Sequence, residues 1–144
     1  MHPDTAATNG GVWMPCKGGY RERIEEGKRQ REKDREYAKS PEALYWRELV
    51  ARALPDVSVL AGPERAYFAV SCLVGEVYNG GFDQFFSNSS GELYEDALEG
   101  LDRMQAMESA SLLRRAKAIL FGSTPVPTAR EERTALMPTF GADQ

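Results

Sequence analysis

Ten of the thirteen residues from Ala66 to Tyr78 are apolar or aromatic. That is too many for one helical stripe and too long a run for a strand, so the pattern predicts a central helix surrounded on most sides. Gly62-Pro63-Glu64 opens it, with proline in the first turn, where its fixed φ suits a helix and its missing N–H costs nothing. Ser40-Pro41-Glu42 repeats the signal upstream and predicts a helix that carries Leu44, Tyr45, Leu49, Val50 and Ala53 inward and stops at Leu54-Pro55. Downstream, Ser89 and Glu92 have capping-box spacing and predict a helix to about Gln105. A further helix, about Ser109 to Phe121, directs Leu112, Leu113, Ala116, Ile119 and Leu120 inward. After the break from Gly122 to Pro127, Thr128 and Glu131 form a second capping-box pattern ahead of a short helix to about Leu136. No segment alternates apolar and polar between hairpin turns, so the fold class is all-α: a multi-helix domain with a central buried helix.

The first 39 residues have a different pattern. Residues 20 to 39 contain fourteen charged side chains of both signs, with Ile24 and Tyr37 nearly the only apolar ones, which predicts a solvent-exposed helical extension. Residues 1 to 19, rich in Gly, Pro, Thr and Asn, predict a disordered tail. The organisation expected is therefore tail 1–19, charged extension 20–39 and helical domain 40–140. Charge divides in the same place. The 144-residue chain carries a net −4, but residues 1 to 39 sum to +2 and residues 40 to 144 to −6. His2 is the one histidine, which leaves a Ser-His-Asp triad or a multi-histidine metal site without support. Cys16 and Cys72 lack metal or redox spacing and read as reduced thiols. No cofactor and no metal is expected. With no apolar N-terminal run and no membrane-length apolar stretch, the expected location is the cytoplasm, with no membrane partner.

Two segments hold the candidate chemistry. In GEVYNGGFDQFFSNSSG, residues 75 to 91, Asn79-Gly80-Gly81 tolerates positive φ and predicts that the central helix ends and reverses there. Phe82, Phe85 and Phe86 follow at i, i+3, i+4, one face of a short helix turned into the core. Gln84, Asn88, Ser89, Ser90 and Gly91 complete the turn into the next helix. One reading makes this segment a structural corner; the other makes Glu76, Asn79, Asp83, Gln84 and Asn88 a polar binding patch. Glu76 discriminates between them, since its carboxylate is either satisfied by the glycine-turn amides or open to a partner. Glu76 and Asp83 are also the pair an acid–base enzyme would need, although no activated nucleophile, phosphate loop or metal spacing accompanies them.

The second segment is the helix predicted from Glu92. At 100° per residue, Glu92, Glu95, Asp96, Glu99 and Asp102 share a 120° arc, while Leu93, Tyr94, Ala97, Leu98, Leu101 and Met104 occupy the opposite side. Between Glu76 and Glu108 there are eight acidic residues and one basic. The stripe spans about 15 Å, and its line charge is lower than that of duplex DNA but comparable with it. Such a ridge suits a protein that ordinarily neutralises phosphates with Lys and Arg.

The run Asn79-Gly80-Gly81-Phe82, Gln84-Phe85-Phe86, Asn88-Ser89-Ser90-Gly91 resembles the DNA-mimic-protein family. The similarity covers roughly Ser40 to Leu136 and includes Gly62-Pro63-Glu64-Arg65, Leu112-Leu113, Arg130 and Arg133. The resemblance implies a small dimeric helical protein whose acidic surface occupies the DNA-binding face of a transcription factor, without binding nucleic acid itself and without catalysis. Arg114, Arg115 and Lys117 depart from a strongly acidic mimic. The expectation is a binding protein acting through Glu92, Glu95, Asp96, Glu99 and Asp102, with Asp83. The alternatives are an interaction or immunity-type module acting through the Asn79 to Ser90 patch, and, third, an enzyme.

Overall fold

The first helix, α1, runs Tyr20–Tyr37 and buries no residue. Its start is tied by the Gly19 amide, which donates to Glu22 at 3.0 Å. Side-chain pairs such as Gln30 to Asp34, 2.8 Å, run along its surface. The computed structural model describes residues 19–138, so most of the segment expected as a tail lies outside the described residues. The chain divides into two compact units, before and after the Leu44–Tyr45 bond. That division falls inside the second helix, α2 (Pro41–Ala53), which begins as predicted, with Ser40 Oγ accepting from the Ala43 amide at 3.2 Å.

In the second unit, a short 3-10 turn at Val57–Val59, capped by Asp56, leads to the long helix α3, Gly62–Ser87. This helix is two helices joined at a break. Gly80 (φ −158°) and Gly81 (φ 76°, ψ −170°) leave helical geometry, and the Gly81 backbone is one that a side chain would resist. Glycine is needed at 80 for a different reason, since a Cβ there would collide with the Gln84 side chain. The chain then passes through a 3-10 segment, Ser89–Leu93, into α4 (Tyr94–Arg103), α5 (Met107–Phe121) and α6 (Arg130–Leu136). The described residues form six α-helices and no strand, an all-α fold with α3 at its hub, packed on α4, α6 and the Ser89–Leu93 segment.

The core is built from Leu49, Leu60, Phe68, Ala69, Leu73, Phe85, Phe86, Leu93, Tyr94, Ala97, Leu101, Leu113, Leu120 and Phe121 among others. Phe86 is its aromatic centre, with ring centroids 5.1 Å from Phe85, 5.2 Å from Phe121 and 5.8 Å from Tyr94. The crossing of α3 and α4 is set by Gly100, whose missing Cβ would lie 2.7 Å from Val70 Cγ2 and 3.2 Å from the Ala66 carbonyl. Gly100→Ala is expected to lower stability by about 1 kcal/mol. Overpacking there, about 1–3 kcal/mol, outweighs the roughly 1 kcal/mol gain in helix propensity. Denaturant titration checks this.

Several expected positions differ. Tyr67, Val74 and Tyr78 of α3 are exposed, Tyr78 by 88%, so the central helix leaves one stripe uncovered. Leu44 and Tyr45 of α2, Leu112 and Ile119 of α5, and Met104 beyond the end of α4 also face solvent. Each sits at the margin of an apolar arc that is wider than the surface its neighbours cover. Neither predicted capping box forms: no side chain caps the Ser89–Leu93 segment or α6.

Candidate functional site

The corner that reverses α3 is organised around one carboxylate. Glu76, half-buried, accepts from Gln84 Nε2 at 2.5 Å, from Asn88 Nδ2 at 3.0 and 3.1 Å and from Ser90 Oγ at 3.1 Å. The break at Gly80–Gly81 makes this possible by folding residues 84 to 90 back beside residue 76. Burial pulls the Glu76 pKa upward, but the three side-chain donors outweigh it and hold the carboxyl below its ordinary range. The carboxylate is thus satisfied by side chains, where the sequence suggested glycine-turn amides. Ser90, read as part of a helix start, is a buried donor to Glu76.

A second clamp closes the same corner from α6. Arg133 is fully buried, and its guanidinium donates to four backbone carbonyls: Phe86 at 2.8 Å, Asn88 at 2.7 Å, Pro127 at 2.9 Å and Thr128 at 2.6 Å. Arg130 Nε adds the Ser87 carbonyl at 2.7 Å. These include carbonyls that the end of a helix leaves without partners. Gly91 is glycine because a Cβ would fall 2.6 Å from Arg133 Nε and 2.8 Å from the Phe86 carbonyl. Desolvation lowers the Arg133 pKa, opposed by the charge of Glu92. The motif residues Phe82 to Gly91 therefore build the corner. The importance of Arg133 was not readable from spacing, since nothing local marks a surface-type residue in a short helix as buried.

The acidic residues sort into three places. Glu95, Asp96, Glu99 and Asp102, with Leu98 and Arg103, line one open concavity on the outer side of α4. Glu92 belongs to the 3-10 segment and not to α4, so it leaves the predicted stripe and, with Glu76, lines a groove on another side. Asp83, exposed, lines a shallow depression with Phe82, Ala116, Ile119 and Leu120. Glu76 and Asp83 are not brought together in one depression. Three of the four carboxylates on α4 are ion-paired: Asp96 to Arg65 at 2.8 Å, Glu99 to Arg103 at 2.6 Å and Asp102 to Arg114 at 2.7 Å. Only the Arg103 pair was legible, from its i,i+4 spacing. Arg65 and Arg114 come from other helices. Glu95 is exposed and has no ion-pair partner among the described residues.

The groove, about 810 Å³, lies between α2, α3 and the Ser89–Leu93 segment. Trp46 and Phe68, stacked with centroids 5.7 Å apart and 27° between planes, line its apolar side. Cys72 also lines it, half-buried, with its thiol pushed up to about 11 by burial and by Glu76. Among the described residues no cluster of His, Cys, Asp and Glu is arranged to hold a metal, and no helix is long and apolar enough to cross a membrane.

An all-α domain with a carboxylate-lined helix face and a corner locked by Glu76 and Arg133 defines a class of acidic helical protein. The chain belongs to the DMP19-like protein family, a DNA-mimic-protein family, whose model matches residues 58–144. The match takes in α3 to α6 and leaves α1 and α2 outside, so it starts later than the resemblance read from Ser40. No curated protein and no solved structure matches the chain significantly.

Proposed function

We propose that this protein is a non-catalytic acidic binding protein that engages the DNA-binding surface of a transcription regulator, or another basic protein, in the cytoplasm. The observation that carries the reading is the shared concavity of Glu95, Asp96, Glu99 and Asp102 in a member of this family. Glu92 and Asp83 extend the negative field to neighbouring surfaces. The arginine pairs do not close the face. Arg103 and Glu99 are 57% and 59% exposed, and such pairs contribute about 0–1 kcal/mol. Lys or Arg from a partner can therefore take over Glu99, and with it the half-exposed Asp102, at little cost, whereas Asp96 is held more firmly by Arg65. The action is proposed for a homodimer, in which the exposed stripe of Tyr67, Val74 and Tyr78 is available to a second copy.

The other two readings have less support. For a module acting through the Asn79 to Ser90 patch, the donors of Gln84, Asn88 and Ser90 are already taken by Glu76, which leaves a partner only the carboxamide oxygens. An acid–base enzyme would need Glu76 near Asp83 with a raised pKa, whereas the Glu76 pKa is lowered and the two line different depressions. The test is capture from a lysate of the source cell, followed by binding to the recovered DNA-binding protein at several salt concentrations. Affinity is expected to fall steeply with salt, and Glu95→Gln/Glu99→Gln/Asp102→Asn to weaken the complex by about tenfold or more. A complex that the triple variant leaves unchanged overturns the reading.

A further inference from the structure

The charged residues that line the groove beside the corner all have one sign. Asp56, Glu76 and Glu92 line it, and no Lys, Arg or His does among the described residues. Glu76 is a fixed charge there and not a free ligand: each of its oxygens already accepts two hydrogen bonds, and a carboxylate offers about four acceptor sites in all. Its effect is on its neighbours. A carboxylate only accepts, so Gln84 and Asn88 must turn their NH₂ groups to it, and their carboxamide oxygens are left as acceptors. Neither oxygen has a donor among the described residues, and neither is fully buried, although Gln84 Oε1 lies against Gly80. Asp56 spends one oxygen on the Ser58 amide at 2.9 Å, and Glu92 makes no ion pair among the described residues, although Arg65 acts on both at longer range. Trp46 and Phe68 line the same groove.

We propose that this groove binds an arginine side chain presented by a basic protein partner, its alkyl stem and guanidinium plane against Trp46 and its N–H groups directed to Asp56, Glu92 and the carboxamide oxygens of Gln84 and Asn88. A wall whose charged groups are all carboxylates favours a cationic donor as ligand. The guanidinium is such a donor, with five N–H groups, and its flat face suits an aromatic ring as an ammonium does not. Three carboxylates around a concave, partly apolar surface concentrate the field on that cation. The inference rests on the partner being basic, but not on the α4 face, which is a separate surface.

The experiment is an NMR titration of the full isotope-labelled chain with acetyl-Gly-Arg-Gly-amide and with its citrulline analogue, which has nearly the same shape and no charge. The arginine peptide is expected to bind with a Kd of about 1 mM, the strength of a single side-chain contact. It should shift the Trp46 indole and the side-chain amides of Gln84 and Asn88. The citrulline peptide should bind at least about tenfold more weakly. Glu92→Gln should weaken the arginine peptide several-fold, whereas Glu95→Gln/Glu99→Gln/Asp102→Asn should leave it within about twofold. Equal binding of the two peptides, or shifts confined to α4, overturns the proposal. If the triple variant loses the DNA-binding protein and the arginine peptide still reaches the groove, both readings stand. If the peptide shifts nothing in the groove while the triple variant behaves as expected, only this proposal fails.

Discussion

Arg133→Leu is expected to lower the unfolding free energy by about 4 kcal/mol, enough to leave a domain of this size marginal or unfolded at 37 °C. The side chain is fully buried and satisfies the carbonyls of Phe86, Asn88, Pro127 and Thr128 in one planar fork. Leucine restores apolar volume but no donor, and each carbonyl left without a partner costs about 1–3 kcal/mol, less where water can enter. The carbonyls of Phe86 and Asn88 end the short helix that holds Phe85 and Phe86 in the core, so the loss reaches the aromatic centre. Arg133→Lys should recover less than half, because an ammonium cannot address four carbonyls spread around a plane. Thermal unfolding followed by circular dichroism measures both; wild-type stability in Arg133→Leu would mean that α6 does not clamp the corner.

The second large effect is expected at Glu76. Glu76→Leu removes the acceptor for Gln84, Asn88 and Ser90, of which Ser90 is buried, and should cost about 3 kcal/mol; Glu76→Gln should cost about 2, since it keeps one accepting oxygen. The two variants differ from wild type in pH dependence as well as in magnitude. The folded-state pKa of Glu76 is depressed, despite burial, by its three donors. The stabilisation is therefore fully present above the unfolded value of about 4.3 and is lost as pH falls through the folded value. Wild type should lose stability on acidification below about pH 4.5, and the part of that slope due to Glu76 should be absent in Glu76→Gln. Denaturant titrations from pH 3 to 7 read this directly. Identical pH profiles for the two proteins would show that the carboxylate does not organise the corner.

Both residues lock the corner that the sequence marked at residues 75 to 91, Glu76 from within it and Arg133 from α6, yet they were legible to different degrees. Glu76 stood out as a charge next to Val77 and Tyr78 in an apolar helix, and Asn79-Gly80-Gly81 announced the reversal that brings its partners back. Arg133 had no such marker. The acidic residues of α4 were identified as a stripe from spacing alone, but Glu92 left it when Ser89–Leu93 formed a 3-10 segment and not the first turn of the helix. Arg65 and Arg114, which pair with Asp96 and Asp102, are 31 and 12 residues away from them and lie on other helices. The local surplus counted between Glu76 and Glu108 is thus larger than the surplus on the folded α4 face, because Arg65 and Arg114 lie outside that count.

The chain by itself determined what depends on neighbours within a turn or two: an all-α fold, the proline starts of α2 and α3, the break at Gly80–Gly81 and the burial of Phe85 and Phe86. Capping, proline geometry and glycine's φ freedom act over that range, so they can be read in order. Only the tertiary structure decided which part of each apolar arc is covered, leaving Tyr67, Val74, Tyr78 and Ile119 in solvent, and which carboxylates acquire arginine partners. It also turned Arg133 inward and gathered Asp56, Glu76 and Glu92 along one groove. These outcomes follow from how α3, α4 and α6 meet, through the close approach at Gly100 and Gly91. The physical reason is that desolvation and charge pairing depend on distance in space, which spacing along the chain does not encode.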